Sequence, residues 1–215
     1  NLMGGTGGYA GIGADGGIGG VASAIYITGT SSMLSFTNNY AKNLMGGTGG
    51  LAGSYDGGKG GIAAGAFLVA LTSSFNSNPI ILTNNTFVNI TGGLGGHSEY
   101  AGNGGDAGGA YLTGLTPDFP VILNNNSISN ITGGAGLSYK DIYDRAGGDG
   151  GNGAGIFIIN YPTQISNPTI ARLVNNTITN IKGGRGGLSN PGYALPDGTD
   201  GIGYGTSVKD CVFSG

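Results

Sequence analysis

The sequence is poor in cysteine, tryptophan and charge, and each shortage excludes something. A single cysteine, Cys211, rules out a disulfide within the chain and leaves either an idle thiol or a bridge to another chain. Charged residues make up only 9% of the chain, and its net charge is -3. The eight basic residues are scattered, whereas phosphate backbones require clustered Lys and Arg. We therefore expect no nucleic-acid partner.

Long hydrophobic runs are also missing. The longest, Ile62 to Leu71, is about half of the roughly 18–20 residues that span a bilayer, which predicts no membrane span. The chain opens at Asn1 within a repeat and has no initiator Met. We expect it to be a segment of a longer or processed protein whose targeting signals lie outside it.

Glycine is abundant, with 50 residues, and it recurs in a repeat. Residues 1–8 (NLMGGTGG) return letter for letter at 43–50, and looser copies follow. The five copies begin at Asn1, Asn43, Asn89, Asn130 and Asn180. This pattern predicts that residues 1–215 form a single array of about five repeats of ~45 residues.

Each repeat contains a glycine tract, a short apolar block and an Asn-rich block. The apolar blocks are β-branched or aromatic and follow glycine, which is typical of strands. In the Asn-rich blocks, apolar residues flank an Asn-Asn step, as in residues 80–90 (IILTNNTFVNI). Since no helical periodicity competes, we predict an all-β solenoid, with about two coils of roughly 22 residues in each repeat.

The Asn-Asn step has a structural explanation. Asn tolerates left-handed backbone angles, so the pair predicts a tight corner between two short strands. When coils stack, equivalent Asn side chains lie over one another, and their amides can form a hydrogen-bonded ladder.

Several motifs resemble known proteins. The Asn-Asn-Thr/Ser-x-x-Asn-Ile block looks like the turn-bearing coil of right-handed parallel β-helix repeat proteins. Gly108 to Leu112 (GGAYL) and Phe36 to Asn39 (FTNN) are similar to the GGA-I and F-x-x-N signatures of polymorphic surface proteins and related adhesins. The resemblance implies a right-handed parallel β-helix exposed on a cell surface or secreted.

The glycine tracts depart from that family. Residues 4–20 parse as triplets, GGT-GGY-AGI-GAD-GGI-GG, and three residues per turn is the period of a polyproline-II helix. We hypothesise that each tract is a hairpin of two such helices, stacked in a polyglycine-II-like layer beside the β-helix. Flexible glycine-rich loops are the alternative. A hairpin would also align one tyrosine per tract in a column: Tyr9, Tyr55, Tyr100, Tyr143 and Tyr193.

Catalytic motifs are weak. Asp15, Asp56, Asp106, Asp149 and Asp200 recur about once per repeat at similar places, which favours a structural role because a catalytic site usually occurs once. His97, near Glu99, has no partner at a motif spacing. We predict a non-enzymatic protein without a metal or cofactor. The alternative, a carbohydrate-binding or polysaccharide-cleaving β-helix, would use the charge cluster Lys140, Asp141, Asp144 and Arg145.

Five Asn-x-Ser/Thr sequons fall in register. They are Asn84, Asn89, Asn125, Asn130 and Asn175. If these side chains point outward, N-glycans would run in columns along the array, but side chains in an interior ladder are unavailable. We expect a structural subunit of an extracellular fibre or cell-surface adhesin, N-glycosylated and self-associating end to end into filaments through open strand edges. A second alternative, an ice- or surface-binding solenoid, would need a flat face of aligned threonines, and Thr72, Thr83, Thr113 and Thr116 do not line up.

Overall fold

The protein is all-β, with parallel sheets. The computed structural model describes residues 1–11, 13–29, 33–53, 56–69, 79–115, 120–138, 146–160, 169–192, 195–209 and 211–213. These residues form fifteen strands in three five-stranded sheets, and every pair of neighbouring strands is parallel. Among the described residues there is no helix long and apolar enough to cross a membrane.

The strands of each sheet are equivalent segments of successive repeats. Sheet I contains β1 (Leu2–Met3), β4 (Tyr40–Met45), β7 (Thr86–Thr91), β10 (Ser127–Thr132) and β13 (Thr177–Lys182). Sheet II contains β2 (Ala22–Thr28), β5 (Ala63–Val69), β8 (Ala107–Leu115), β11 (Gly153–Asn160) and β14 (Gly203–Lys209). Sheet III contains β3 (Leu34–Thr37), β6 (Ile80–Thr83), β9 (Val121–Asn124), β12 (Thr169–Val174) and β15 (Cys211–Phe213).

The chain visits the three sheets in turn, which gives a solenoid-like architecture. It runs from a sheet I strand through a glycine tract to sheet II, then to sheet III, and back to sheet I one level further along. The pairs Leu2↔Leu44 and Ser127↔Thr177 show that neighbouring levels are one whole repeat apart. The predicted two coils per repeat are therefore wrong. Each repeat makes one coil, because the sequence pattern merged the strands of sheets III and I into one block and counted the glycine tract as a connection.

The apolar core lies between the sheets. The side chains of Leu82, Phe87 and Ile90 are fully buried, as are their equivalents one coil later, Leu123, Ile128 and Ile131. Phe87 and Ile90 both face inward although they are three residues apart. Asn89, between them, has a φ of 56°, and this left-handed residue resets the alternation of the strand. Sheet II makes room for the core with glycine, because a Cβ on Gly65 would meet the Phe87 ring.

An aromatic stack runs along sheet II on the face away from this core. Tyr26, Phe67, Tyr111 and Phe157 stack with ring centroids 5.4, 5.1 and 4.7 Å apart. The stack ends because the residue paired with Phe157 in the last coil is Ser207. The outer face of Tyr26, in the first coil, is not covered, and this side chain is 54% exposed.

The glycine tracts leave sheet I and return to sheet II as antiparallel hairpins. In the first coil, Gly17 N–H donates to the Gly8 carbonyl and Gly20 N–H to the Gly5 carbonyl. The later tracts repeat this arrangement, with Gly61 bonded to Gly47 and Gly201 bonded to Gly184. We call the stacked hairpins the glycine layer, and in each hairpin we call the segment leaving sheet I the outgoing arm and the segment entering sheet II the returning arm.

Backbone hydrogen bonds connect the hairpins into one ladder. The returning arm of each hairpin accepts from the outgoing arm of the next, as Gly20 accepts from Gly47 and Gly61 from Gly93. The resulting sequence of N–H···O=C bonds passes without a break through all five coils, with N···O distances of 2.7–2.8 Å, from Gly5 through Gly20, Gly47, Gly61, Gly93, Gly105, Gly134, Gly151 and Gly184 to Gly201. Bonded positions recur every third residue, as the triplet rhythm requires.

Candidate functional site

The Asn-rich blocks, which run from sheet III through a corner into sheet I, carry three columns of asparagine. The first column occupies the turn itself, where Asn38, Asn84, Asn125 and Asn175 have φ values of 59°, 54°, 53° and 51°. Asn is among the few residues that adopt this left-handed conformation readily. The predicted corner is confirmed.

The second column is a buried ladder. The Asn85 backbone N–H and side-chain Nδ2 both donate to Asn126 Oδ1, each at 3.0 Å. Asn126 repeats this arrangement with Asn176 Oδ1, and its Nδ2 also donates to the Leu82 carbonyl at 2.9 Å. Asn85 and Asn126 are almost fully buried, so the ladder satisfies polar groups that would otherwise be costly to remove from water. The predicted amide ladder is present here.

The third column is an exposed ladder on sheet I. Asn43 Nδ2 donates to Asn1 Oδ1, Asn89 to Asn43, Asn130 to Asn89, and Asn180 to Asn130, at 2.6–3.0 Å. Asn43, Asn89, Asn130 and Asn180 all have φ near 55°. Each amide thus bonds to its counterpart one coil earlier on the solvent-facing side of the sheet.

The five sequon asparagines separate into two environments. Asn84, Asn125 and Asn175 are exposed corner residues, and the described residues provide no hydrogen-bond partner for their side chains. Asn89 and Asn130 are exposed as well, but the Nδ2 atom to which a glycan would be joined donates to the equivalent amide one coil earlier. The sequence pattern identified both sets as equivalent columns, but it does not reveal which set has a free Nδ2.

The recurring aspartates do not form one column, contrary to the expectation of similar places. Asp15 and Asp56 are in register, because Gly16 N–H bonds to the Asp56 carbonyl. Asp106 accepts from Asn152 N–H one coil later, and Asp149 accepts from Thr199 N–H one coil later. Asp106 and Asp149 therefore belong to two further columns, separate from that of Asp15 and Asp56. The Asp106 carboxylate also lies 3.6 Å from Lys59 Nζ. The triplet rhythm places these residues on the hairpin surface without fixing which third position they occupy.

The other candidate residues from the sequence do not belong to these columns, and several of them lie outside the described residues. The cluster Lys140 to Arg145, Tyr55, Tyr143, Tyr193, Thr72 and Thr116 lies outside the described residues. His97 is half-buried at a hairpin tip, and its Nδ1 has no hydrogen-bond partner among the described residues. Thr83 and Thr113 belong to different sheets, so they share no flat face. Within the described residues, no group of three or more His, Cys, Asp or Glu side chains could hold a metal.

The last hairpin contains a feature that the sequence reasoning missed. Asp197 Oδ1 accepts from the Ser189 backbone N–H at 2.7 Å and from Ser189 Oγ at 2.8 Å, and Asp200 Oδ1 accepts from Gly186 N–H at 2.7 Å. The backbone and hydroxyl bonds from Ser189 hold the pKa of Asp197 below its ordinary value of 3.8. The signal was available: both aspartates replace a glycine of the triplet pattern, since the equivalent residues one coil earlier are Gly147 and Gly150.

Comparison with known proteins adds no relative: no family model, curated protein or solved structure matches this chain. The fold and the asparagine columns therefore rest on the residues and the geometry described above.

Proposed function

We propose that the chain is a non-enzymatic structural segment of an extracellular fibre or cell-surface adhesin. The observation that supports this best is the unbroken glycine hydrogen-bond ladder, which runs parallel to three stacked sheets. Such an array extends by adding equivalent coils at roughly 4.8 Å each. Stacking of such coils gives a rigid rod with long, regular surfaces.

Two finer features belong to the same proposal. The three parallel sheets form a right-handed β-helix, as in the repeat proteins that the Asn-rich blocks resemble. The glycine arms are polyproline-II-like helices packed as in polyglycine II. The three-residue recurrence of bonded glycines and their bonding to neighbouring arms rather than within an arm support this.

The same proposal includes N-glycans on the corner column, at Asn84, Asn125 and Asn175. These amides are exposed and unbonded, whereas Asn89 and Asn130 would have to adapt their ladder to carry a sugar. Corner sites on neighbouring coils are only roughly 4.8 Å apart, so sugars would form a dense row that shields one edge of the rod. Secretion or cell-surface display follows from such glycosylation.

End-to-end contact between copies completes the proposal. Among the described residues, each sheet ends in a strand with one unpaired edge, with β1, β2 and β3 at one end and β13, β14 and β15 at the other. Exposed edges of this kind are templates for further pairing. Large apolar side chains are also exposed in the first coil, including Met3, Ile18, Val21, Tyr26 and Met33.

Electron microscopy of the native material, at a resolution that separates coils, tests this function. We expect rods with an axial rise near 4.8 Å and extra density at Asn84 or Asn125. Glycopeptide mass spectrometry would check the sites independently, with Asn89 and Asn130 as internal controls. Discrete particles with a bare corner column would contradict the proposal.

A further inference from the structure

The two ends of the glycine layer differ in one respect that bears on stacking. Within the layer, each returning arm has two positions that face the next coil, and the inner one is Gly19, Gly60, Gly104 and Gly150 in coils one to four. A Cβ on any of these four would overlap a carbonyl oxygen of the following hairpin. These positions must therefore lack a side chain wherever another coil follows.

The fifth coil breaks this rule. Its inner position is Asp200, as the bond from Gly150 N–H to the adjacent Thr199 carbonyl and the pairing of Gly153 with Gly203 show. Its outer position is Asp197, where the preceding coil has Gly147. The outer position tolerates a small side chain, because the third coil has Ala101 there. Close to Ala101, the N···O distance from Leu137 to the Gly102 carbonyl is longer, at 3.4 Å.

Both carboxylates accept hydrogen bonds from donors whose equivalents in the inner coils bond to the next coil. In the inner coils, the outgoing arm donates N–H groups to carbonyls of the next coil, as Gly49 does to Leu94 and Gly136 to Arg185. The equivalent donor in the fifth coil, Gly186, bonds instead to Asp200 Oδ1 at 2.7 Å. Ser189, equivalent to Ala10 and Ala52, bonds to Asp197 in the same way. The two carboxylates thus accept from backbone N–H groups that would otherwise need the carbonyl oxygens of a further coil.

The opposite end has no such closure. Gly5 and Gly8 are exposed, a Cβ on either would meet open space, and neither N–H has a partner among the described residues. Their equivalents in the second coil, Gly47 and Gly50, are buried and donate to Gly20 and Gly17 of the preceding hairpin. The first coil therefore presents the same glycine surface that the inner coils use for stacking.

We propose that Asp197 and Asp200 are an end cap that makes this chain the terminal segment of a glycine stack. The exposed face of the first hairpin accepts the uncapped returning arm of another coil of the same triplet pattern, whereas the last hairpin accepts none. The proposal rests on the rod function for its biological meaning and restricts it: copies cannot join head to tail through their glycine layers. A terminal repeat that differs from the inner ones is a common requirement of repeat arrays.

Removal of the cap is the central test. In Asp197→Gly/Asp200→Gly the last hairpin regains the inner pattern, so its surface matches the exposed face of Gly5 and Gly8. Sedimentation of the purified chain should show a concentration-dependent rise in mean mass of at least about twofold over the unsubstituted chain, as head-to-tail contacts form. Adding Gly5→Asp and Gly8→Asp to this variant should return the mass to that of the unsubstituted chain.

Two matched variants separate geometry from charge and from misfolding. Asp197→Asn/Asp200→Asn keeps each Cβ and an oxygen acceptor but removes both charges, so this variant should sediment like the unsubstituted chain. Gly150→Asp puts the same side chain one coil earlier, where a hairpin follows, and should lower the unfolding midpoint strongly even if the uncapped variant folds poorly.

Mixing gives a further readout. The unsubstituted chain should bind the uncapped tail through its first hairpin and then stop growth, so that oligomers of the glycine variant shorten as it is added. A folded glycine variant that sediments like the unsubstituted chain would overturn the cap, as would an asparagine variant that associates equally well. Native rods could still exist in either case, because their contacts can use the sheet edges, so the two proposals fail separately.

Discussion

The sheets and the glycine layer are stabilised in opposite ways. Side chains fill the space between the sheets, and Leu82, Phe87 and Ile90 are fully buried there. In the glycine layer the space is filled by backbone, and buried residues such as Gly47 have no side chain at all. The first region gains stability from burying apolar surface and the second from hydrogen bonds between arms.

Each repeat therefore stacks on its neighbours in two ways, through apolar side chains in the sheets and through backbone hydrogen bonds in the glycine layer. A glycine loses more conformational entropy on ordering than any other residue, so a single tract would gain too little to stay ordered. The attachment of each hairpin to two strands of the apolar core fixes both of its ends. The core therefore holds the arms in register, and the ladder then adds a bond at every third residue.

The largest expected effect comes from adding one methyl group to the glycine layer. Gly47→Ala would place a Cβ on the Gly5 carbonyl oxygen and disturb the bonds from Gly47 to Gly20 and from Gly61 to Gly47. We expect a loss of about 4 kcal/mol in the free energy of unfolding, from overpacking and broken hydrogen bonds together. Urea denaturation measures it.

Gly5→Ala is the matched control, because residues 1–8 and 43–50 are identical and only the neighbouring hairpin differs. A Cβ on Gly5 meets open space, so the free energy of unfolding should change by less than about 0.5 kcal/mol. Equal losses in the two variants would show that the layer is not packed as described.

In the sheets the harmful change is the reverse, from large to small. Leu82→Ala should cost about 3 kcal/mol, because it leaves a cavity in the core. Ile81→Ala, on the neighbouring half-buried residue, should cost roughly half as much or less. Denaturation curves of both variants give the two losses in the free energy of unfolding. A larger loss for Ile81→Ala than for Leu82→Ala would mean that Ile81, and not Leu82, faces the core.

The asparagine ladders give a polar version of the same test. Asn126→Asp removes the amide that donates to Leu82 and Asn176 and places a carboxyl group among buried acceptors, which should cost about 2 kcal/mol at neutral pH. Asn130→Asp makes the same change in the exposed ladder and should cost under about 1 kcal/mol. Thermal unfolding of the two variants measures both losses. Similar losses would show that the buried ladder contributes no more to stability than the exposed ladder.

The smallest effect is the pH response of the end cap. Because the pKa of Asp197 is lowered in the folded state, its bonds to Ser189 contribute fully above the ordinary value of 3.8 and are lost as the pH falls through the lowered pKa. The protection factor of the Ser189 amide, followed by NMR through this acid range and corrected for intrinsic exchange at each pH, should fall as the carboxylate is protonated. Asp197→Asn should remove that step, and an unchanged step in this variant would assign it to another group.

The sequence contains most of the fold but not the boundaries of a coil. The Asn-Asn corner and the amide ladder follow from the conformational range of Asn, and both were predictable. The single coil per repeat was not, because residues such as 80–90 read as one block while the left-handed Asn84 directs the two halves into different sheets. The sequons were visible, but the hydrogen bonds that occupy Asn89 and Asn130 depend on stacking distances that no local pattern reveals.

The aromatic stack and the end cap were missed for a related reason. Tyr26, Phe67, Tyr111 and Phe157 stand at equivalent places in the repeat, yet only the parallel register brings their rings together. Asp197 and Asp200 look like ordinary polar substitutions in a glycine-rich tract. They become meaningful only when the equivalent glycines are seen to face another coil.

Amide hydrogen exchange of the glycines tests the central claim most directly. We expect fast exchange at Gly5, whose N–H has no partner among the described residues. We expect strong protection at the ladder donors of the inner coils, which are Gly47, Gly61, Gly93, Gly105, Gly134 and Gly151. Because Gly5 and Gly47 share one local sequence, their difference isolates stacking from intrinsic exchange. Fast exchange at all of these glycines would contradict the account, since it would mean that the tracts are loops attached to the sheets.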